Sequence, residues 1–357
     1  MTAPPPRRRS AVIAALLVAF LVVQPLVILA LIRGTFADFE NTAGYGRGNE
    51  SYVNEAYLPA IKADLFQSFP SNGQRRIFIV GNSKSFVYSK ARLEQALGCS
   101  VGQVLSLSVH SASFRSYAYL LEAIRNGLRP TDIILVVADV AAVHIGGSES
   151  NTLDLYAPWL RGIDVIRAAA GYDRHMLYPR IVDRNLFTLD FGAYTGLYEL
   201  IAHGPESYHA IDSVFPDGSV RLNVEGPILE QLRAGTRASF PATQIRQELS
   251  RNFGPLDVAG VERFARALKE SPAQSLFLTT MSYTEASLTD RREYAAYATL
   301  RDVLDHSFAG YPNLEVSVPA NYNLFIDNTH YLPEGGLLAL KSVAGQLAAK
   351  LCGDDIH

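Results

Sequence analysis

Three short apolar runs, "RRIFIV" (75–80), "QVLSLSV" (103–109) and "DIILVVADV" (132–140), alternate with stretches of helical character, and this alternation narrows the chain to few architectures. The intervening stretches, "SKARLEQALG" and "SFRSYAYLLEAIRNGL", end on Gly98 and near Gly127 and Pro130, the residue types that stop helices. Strands that are apolar at nearly every position are buried on both faces, and strands joined through helices run parallel. The rhythm resumes late in the chain. Helix "DVAGVERFARALKES" precedes the strand "QSLFLTT" (274–280), helix "DRREYAAYATLRDVLDHSF" precedes the strand "NLEVSV" (313–318), and "PEGGLLALKSVAGQLAAKL" closes the pattern. The expected fold is α/β, a three-layer αβα sandwich around a five-stranded parallel sheet. Residues 145–255 interrupt the rhythm with "YAPWLRG", tyrosines and "VFPDGSVRL", whose Pro-Asp-Gly turn reads as a β-hairpin. This stretch reads as an insertion or cap on a single domain over 73–357.

Ahead of that domain, "AVIAALLVAFLVVQPLVILALI" (11–32) is an uncharged run long enough to cross a bilayer as one helix. Arg7, Arg8 and Arg9 precede it and only Arg33 closely follows, so the positive-inside rule leaves residues 1–10 in the cytoplasm. A cleaved signal peptide is the rival reading, but its apolar core is shorter, about 7–15 residues. Residues 33–72, rich in Gly, Asn and Tyr, read as a stalk. The expectation is a single-pass protein of a bacterial-type inner membrane, with its globular part in the periplasm or at the cell surface. Cys99 and Cys352 suit that oxidising compartment, either as a disulfide or as two separate buried thiols. The net charge of -3 gives no electrostatic reason to expect nucleic acid.

Ligands of open α/β sheets bind beyond the carboxyl ends of the strands, where the first run gives way to Gly81-Asn82-Ser83-Lys84-Ser85. Ser83 is a candidate nucleophile there; the plain alternative is a βα turn in which Asn82 and Ser83 cap the following helix. A serine needs a base, normally a histidine oriented by a carboxylate. "FIDNTHYLPEGG" supplies His330 and Asp327 in the loop after the fifth strand. His110 and His144 follow the second and third strands and read either as pocket residues or as structural histidines. Tyr156 and Trp159 read as packing or as a sugar platform. No Cys or His cluster has zinc spacing and no phosphate loop occurs, so neither a metal nor another cofactor is expected.

Taken in order, these elements resemble the SGNH, or GDSL-type, hydrolase family. "GNSKS" stands where the family has its Gly-Asp-Ser block, with Asn82 in place of Asp, and "DNTHYLPEGG" is similar to the family's closing Asp-x-x-His block. The resemblance implies a flavodoxin-like SGNH fold with Ser83 as nucleophile, His330 as base and Asp327 as its orienting acid. It departs in two places. "LSLSVHSAS" offers Ser111 where the family has an oxyanion-hole glycine, and "VVADVAAVH" offers Asp139 where the family has an asparagine donor. An ionised Asp139 accepts hydrogen bonds and repels an oxyanion, so the pocket residues expected are Asn82, His110, Ser111 and Asp139. The implied function is a serine esterase or O-acyltransferase for acyl esters, acetyl first among them, of a cell-envelope or secreted polysaccharide, working beside a membrane acyltransferase. The alternative is a non-catalytic binding or assembly factor of the same machinery. A lipid-directed hydrolase is a third class, for which an exposed apolar lid is the expected sign.

Overall fold

The computed structural model describes residues 44–46, 62, 65–66, 69–70, 73–109, 112–144, 208–210, 215, 217–222 and 225–352. The expected membrane helix (11–32), most of the stalk, and residues 145–207 with Tyr156 and Trp159 lie outside the described residues. Among the described residues no helix is long and apolar enough to cross a membrane. The chain divides into two compact units, residues 1–49 with 162–210, and residues 50–161 with 211–357. Part of the stretch read as an insertion therefore belongs to the first unit. In that unit Gly44–Gly46 pairs antiparallel with Tyr208–Ala210, Tyr45 opposite His209.

In the second unit the five apolar runs are the five strands of one all-parallel sheet, β1 (Arg76–Val80), β2 (Gln103–Ser106), β3 (Ile133–Ala138), β4 (Gln274–Thr279) and β5 (Asn313–Glu315). Their order is 2-1-3-4-5, one of the two common doubly wound orders. The order reverses between β1 and β3, which pair through Ile79 and Leu135. Both strands are buried at every residue, as near-continuous apolar runs require.

Alternate residues of these strands feed two separate packing layers. Ile77, Ile79, Ile133, Leu135, Leu276 and Leu278 pack with Leu93 of helix α1 (Lys90–Leu97), and with later helices through Leu340 and Leu347. On the opposite face Phe277 meets Tyr311 at a centroid distance of 6.0 Å and three further aromatic rings. They are Phe114 of α2 (Phe114–Ile124), Phe264 and Phe308, at centroid distances of 6.3, 6.3 and 4.9 Å. Burial of large aromatics at these separations gives this layer much of its free energy.

The stretch 225–250 holds two helices, α3 (Glu225–Ala234) and α4 (Ala242–Leu249). Helix α5 (Val258–Glu270) starts on Asp257, which accepts from Gly260 N at 3.0 Å and binds Arg115 of α2 at 2.8 Å. The short α6 (Tyr283–Ala286) was not evident from periodicity. Its signal is the capping box, with Ser282 and Glu285 satisfying each other's backbone N–H groups. Helix α7 spans Ala295–Ser307; the residues expected to begin it, Arg291–Glu293, form a 3₁₀ turn instead.

The last helix is two, α8 (Pro333–Ser342) and α9 (Ala344–Leu351). The Ser342 hydroxyl donates to Ala339 O at 2.7 Å and accepts from Ser317 N at 2.8 Å, local bonding that competes with the helix ladder, and Val343 leaves helical geometry.

The hairpin expected over 214–222 is short among the described residues, with no strand assigned to its arms. A tight turn is present, with Gly218 at φ 71° and its N–H on Phe215 O at 2.7 Å. Its two arms bond across the turn, Phe215 N donating to Ser219 O at 2.9 Å, and the turn also covers the edge of β2, Ser106 N donating to Asp217 O at 2.7 Å. The fully buried Lys62 ammonium bonds both Ser106 O and Gly218 O and fastens the turn there. An edge strand needs such cover to avoid pairing with another chain.

Cys99, just after α1, is disulfide-bonded to Cys352 at the end of α9, with Cα atoms 5.9 Å apart and 253 residues between them in sequence. Closing so long a loop restricts the unfolded chain strongly. Cys352→Ser is expected to lower the unfolding free energy by about 2–5 kcal/mol. Urea titration monitored by circular dichroism, with and without reductant, checks this; a wild type indifferent to reductant would refute it.

Candidate active site

Where β1 ends, the chain turns so sharply that a side chain at position 81 does not fit. A Cβ on Gly81 would lie 2.8 Å from Ser85 Cβ and 3.1 Å from Val137 Cβ. The turn continues as a 3₁₀ helix, Ser83–Ser85, capped by Asn82, whose Oδ1 accepts from Lys84 N at 3.1 Å. Ser83 is thereby held half-buried at the carboxyl end of a central strand, beside the point where the strand order reverses.

Below it lies a buried polar cluster. Asn82 Nδ2 donates to Asp139 Oδ1 at 2.9 Å, Ala142 N donates to the same oxygen at 3.0 Å, and Lys84 Nζ stands 2.9 Å from Asp139 Oδ2. Burial alone would push the Lys84 ammonium down, but the charges of Asp139 and Glu285 outweigh it and hold the pKa above its ordinary value. Asp139 is thus an anchor beneath the Ser83 turn, engaged with Asn82, Lys84 and its own loop. Lys84, which sequence reasoning did not single out, follows the serine directly.

The partner loop runs from β5 to α8. Ile326 N donates to His330 O (2.7 Å) and Leu332 N to Leu324 O (2.9 Å), closing a narrow loop with Asp327–His330 at its tip. Asp327 serves two ends at once. Its Oδ1 accepts from Thr329 N (2.7 Å), Thr329 Oγ1 (2.9 Å) and His330 N (2.8 Å), while Oδ2 meets His330 Nδ1 at 2.8 Å. The other ring nitrogen, Nε2, is 2.8 Å from Ser83 Oγ. Ser83, His330 and Asp327 therefore form one continuous hydrogen-bonded chain.

Burial would raise the Asp327 carboxyl, but hydrogen bonds from the His330 ring and from two backbone N–H groups overcome it and hold it well below the usual carboxylate range. A group depressed in the fold contributes stability that is complete above its unfolded value, begins to fade there, and is lost as pH falls on through the lower folded value. The stability difference between wild type and Asp327→Asn should therefore be constant above about pH 5 and shrink below about pH 4. Urea titrations at stepped pH measure it; a difference unchanged at the acid end would contradict the assigned bonds.

The two glycines of "PEGG" explain how the loop reaches the turn. A Cβ on Gly336 would stand 2.8 Å from Val87 Cγ1, and one on Gly335 would strike the backbone of Leu324. Only their absence of side chains lets α8 lie directly against the segment that follows Ser83. Tyr331 pins the loop from beneath, its hydroxyl accepting from Met281 N at 3.1 Å and sharing a 3.3 Å contact with Thr280 Oγ1.

The other expected residues stand differently. His110 and Ser111 lie outside the described residues. His144 is a structural histidine, with Nδ1 3.1 Å from Gly254 O and its ring stacked on Phe253. Among the described residues no group of three or more His, Cys, Asp or Glu is placed to hold a metal ion.

No family model, curated protein or solved structure matches the chain.

Proposed function

We propose that the protein is an SGNH-like, serine-dependent acyl hydrolase or O-acyltransferase. One observation carries the reading: Ser83 Oγ, His330 and Asp327 are joined by two 2.8 Å contacts at the carboxyl end of a doubly wound sheet. In this mechanism His330 Nε2 removes the Ser83 proton as Oγ attacks the acyl carbonyl. Asp327 fixes the tautomer and stabilises the imidazolium, and the same proton then passes to the leaving alcohol. The Ser83 N–H, which has no hydrogen-bond partner among the described residues, faces the demand for an oxyanion donor. Water, or a sugar hydroxyl, finally takes the acyl group from Ser83. The apolar run at 11–32 supports a membrane-anchored enzyme acting outside the cytoplasm on acylated envelope or secreted polysaccharide.

A second reading, a non-catalytic binding or assembly factor, is favoured by Asp139. It is an acceptor at the position from which the family donates to the oxyanion, and the Asn82 amide is turned down onto it. Loss of one such donor costs about 10²- to 10³-fold in rate.

The deciding experiment uses the full chain in detergent with an activated acetyl ester, and follows both free acetate and acetyl transferred to added oligosaccharide. Turnover abolished by Ser83→Ala supports catalysis, and the product ratio assigns esterase or transferase. Failure of Ser83 to react with a fluorophosphonate, together with no turnover, supports the scaffold.

A further inference from the structure

We infer that Arg237, which lies in the α3–α4 connection far from Asp327 in sequence, is a positioning residue for the Asp327–His330 pair; this rests on the triad reading above. Helix α3 ends in a reversal at Gly235 (φ 65°), where Gly235 N donates to Leu232 O (3.1 Å) and Thr236 N to Gln231 O (2.9 Å). This is a Schellman closure, and it redirects the chain two residues before Arg237. The Arg237 guanidinium then lies over the Tyr322 ring, 4.0 Å from its centre, and Nη2 donates to Phe325 O and, at 2.9 Å, to Ile326 O.

Those carbonyls immediately precede Asp327. The loop's own bonds use Ile326 N, His330 O, Leu332 N and Leu324 O, so both carbonyls point away from the loop and towards Arg237. Phe325 and Ile326 are buried, so a carbonyl left unpaired there would bear its full desolvation cost. The Ile326 carbonyl shares a rigid peptide plane with Asp327 N, so holding the one fixes the axis about which the Asp327 carboxylate swings. Lysine replaces only part of this, because an ammonium can donate to the carbonyls but does not stack on Tyr322 as the planar guanidinium does. The contact ties the reacting centre to the α3–α4 connection, which also packs beside it through Phe240 on Tyr322 and Tyr283.

The test compares wild type, Arg237→Lys and Arg237→Ala as full chains in detergent by two readouts. In steady-state ester hydrolysis, kcat should fall about 10- to 100-fold in Arg237→Ala with KM little changed, since small misplacements at a reacting centre have effects of that size. Added guanidinium ion should restore part of the loss, and Arg237→Lys should fall between the two. The second readout is the low-field proton resonance of His330 Nδ1–H bonded to Asp327, which requires no turnover; it should be sharp in wild type and lost in Arg237→Ala. An unchanged resonance with unchanged kcat overturns the inference, as does a loss explained wholly by a lower melting temperature. If wild type has the resonance but no turnover, and Arg237→Ala lacks it, the positioning role stands and the catalytic reading fails.

Discussion

Ser83→Ala is expected to reduce hydrolysis of an activated acetyl ester by roughly 10⁶-fold, and His330→Ala by a similar factor, because the two act as one unit. The double variant should be no worse than either single one, since a nucleophile without its base, or a base without its nucleophile, does nothing. Asp327→Asn should cost about 10⁴-fold, by presenting the wrong tautomer of His330 to Ser83. Folding should survive Ser83→Ala, which removes one half-buried hydroxyl whose described contact is His330 Nε2. Circular dichroism and steady-state kinetics on the same samples give the result. A Ser83→Ala variant with wild-type turnover would end the proposal for this serine.

The second large effect concerns stability. Asp139→Ala should destabilise the sheet unit by about 3–5 kcal/mol, the usual cost of leaving one partner of a buried ion pair uncompensated. Lys84 would be left only 7% exposed without the carboxylate 2.9 Å away, and Asn82 Nδ2 and Ala142 N would lose their acceptor. The mechanism predicts a signature beyond the size of the loss. In a Lys84→Met, Asp139→Leu double variant the stability should largely return, because well-packed apolar pairs replace buried ion pairs at little cost. Turnover should not return with it, because Asn82 has lost its anchor and Ser83 its fixed place on the turn. Urea unfolding followed by far-UV circular dichroism measures the first part and the ester assay the second. A loss below about 1 kcal/mol in Asp139→Ala would show that the pair is not a structural keystone.

The sheet is legible in the sequence because β1 and β3 are buried on both faces and so read as unbroken apolar runs, each punctuated by a helix with ordinary stop residues. Strand ends were overread at "QVLSLSV". Beyond Ser106, Leu107 N and Val109 N still bond Ile79 O and Gly81 O, but the regular ladder has ended. Ser83, His330 and Asp327 were legible because each sits in a short polar cluster that breaks such a run. Lys84 was hidden in plain view, since nothing local announces that a lysine will be buried against an aspartate 55 positions away. Arg237 gives no local sign at all. Its role depends on a reversal at Gly235 and on two carbonyls nearly 90 residues downstream, a separation over which hydrophobic periodicity carries no information.

The long arc from Ser83 to His330 also sets a clock. They are 247 residues apart, and at about 5–20 residues per second of synthesis the base emerges roughly 10–50 s after the nucleophile. For most of that interval β1 has both of its neighbours, β2 and β3, whereas β4, the other partner of β3, has not been made, and β5 and the loop that carries His330 come later still. Such a half-sheet holds a serine on a formed turn with no means of ionising it. On the proposed catalytic reading, the nascent protein is chemically silent until its final strands have been added, and would acquire reactivity in a single late step.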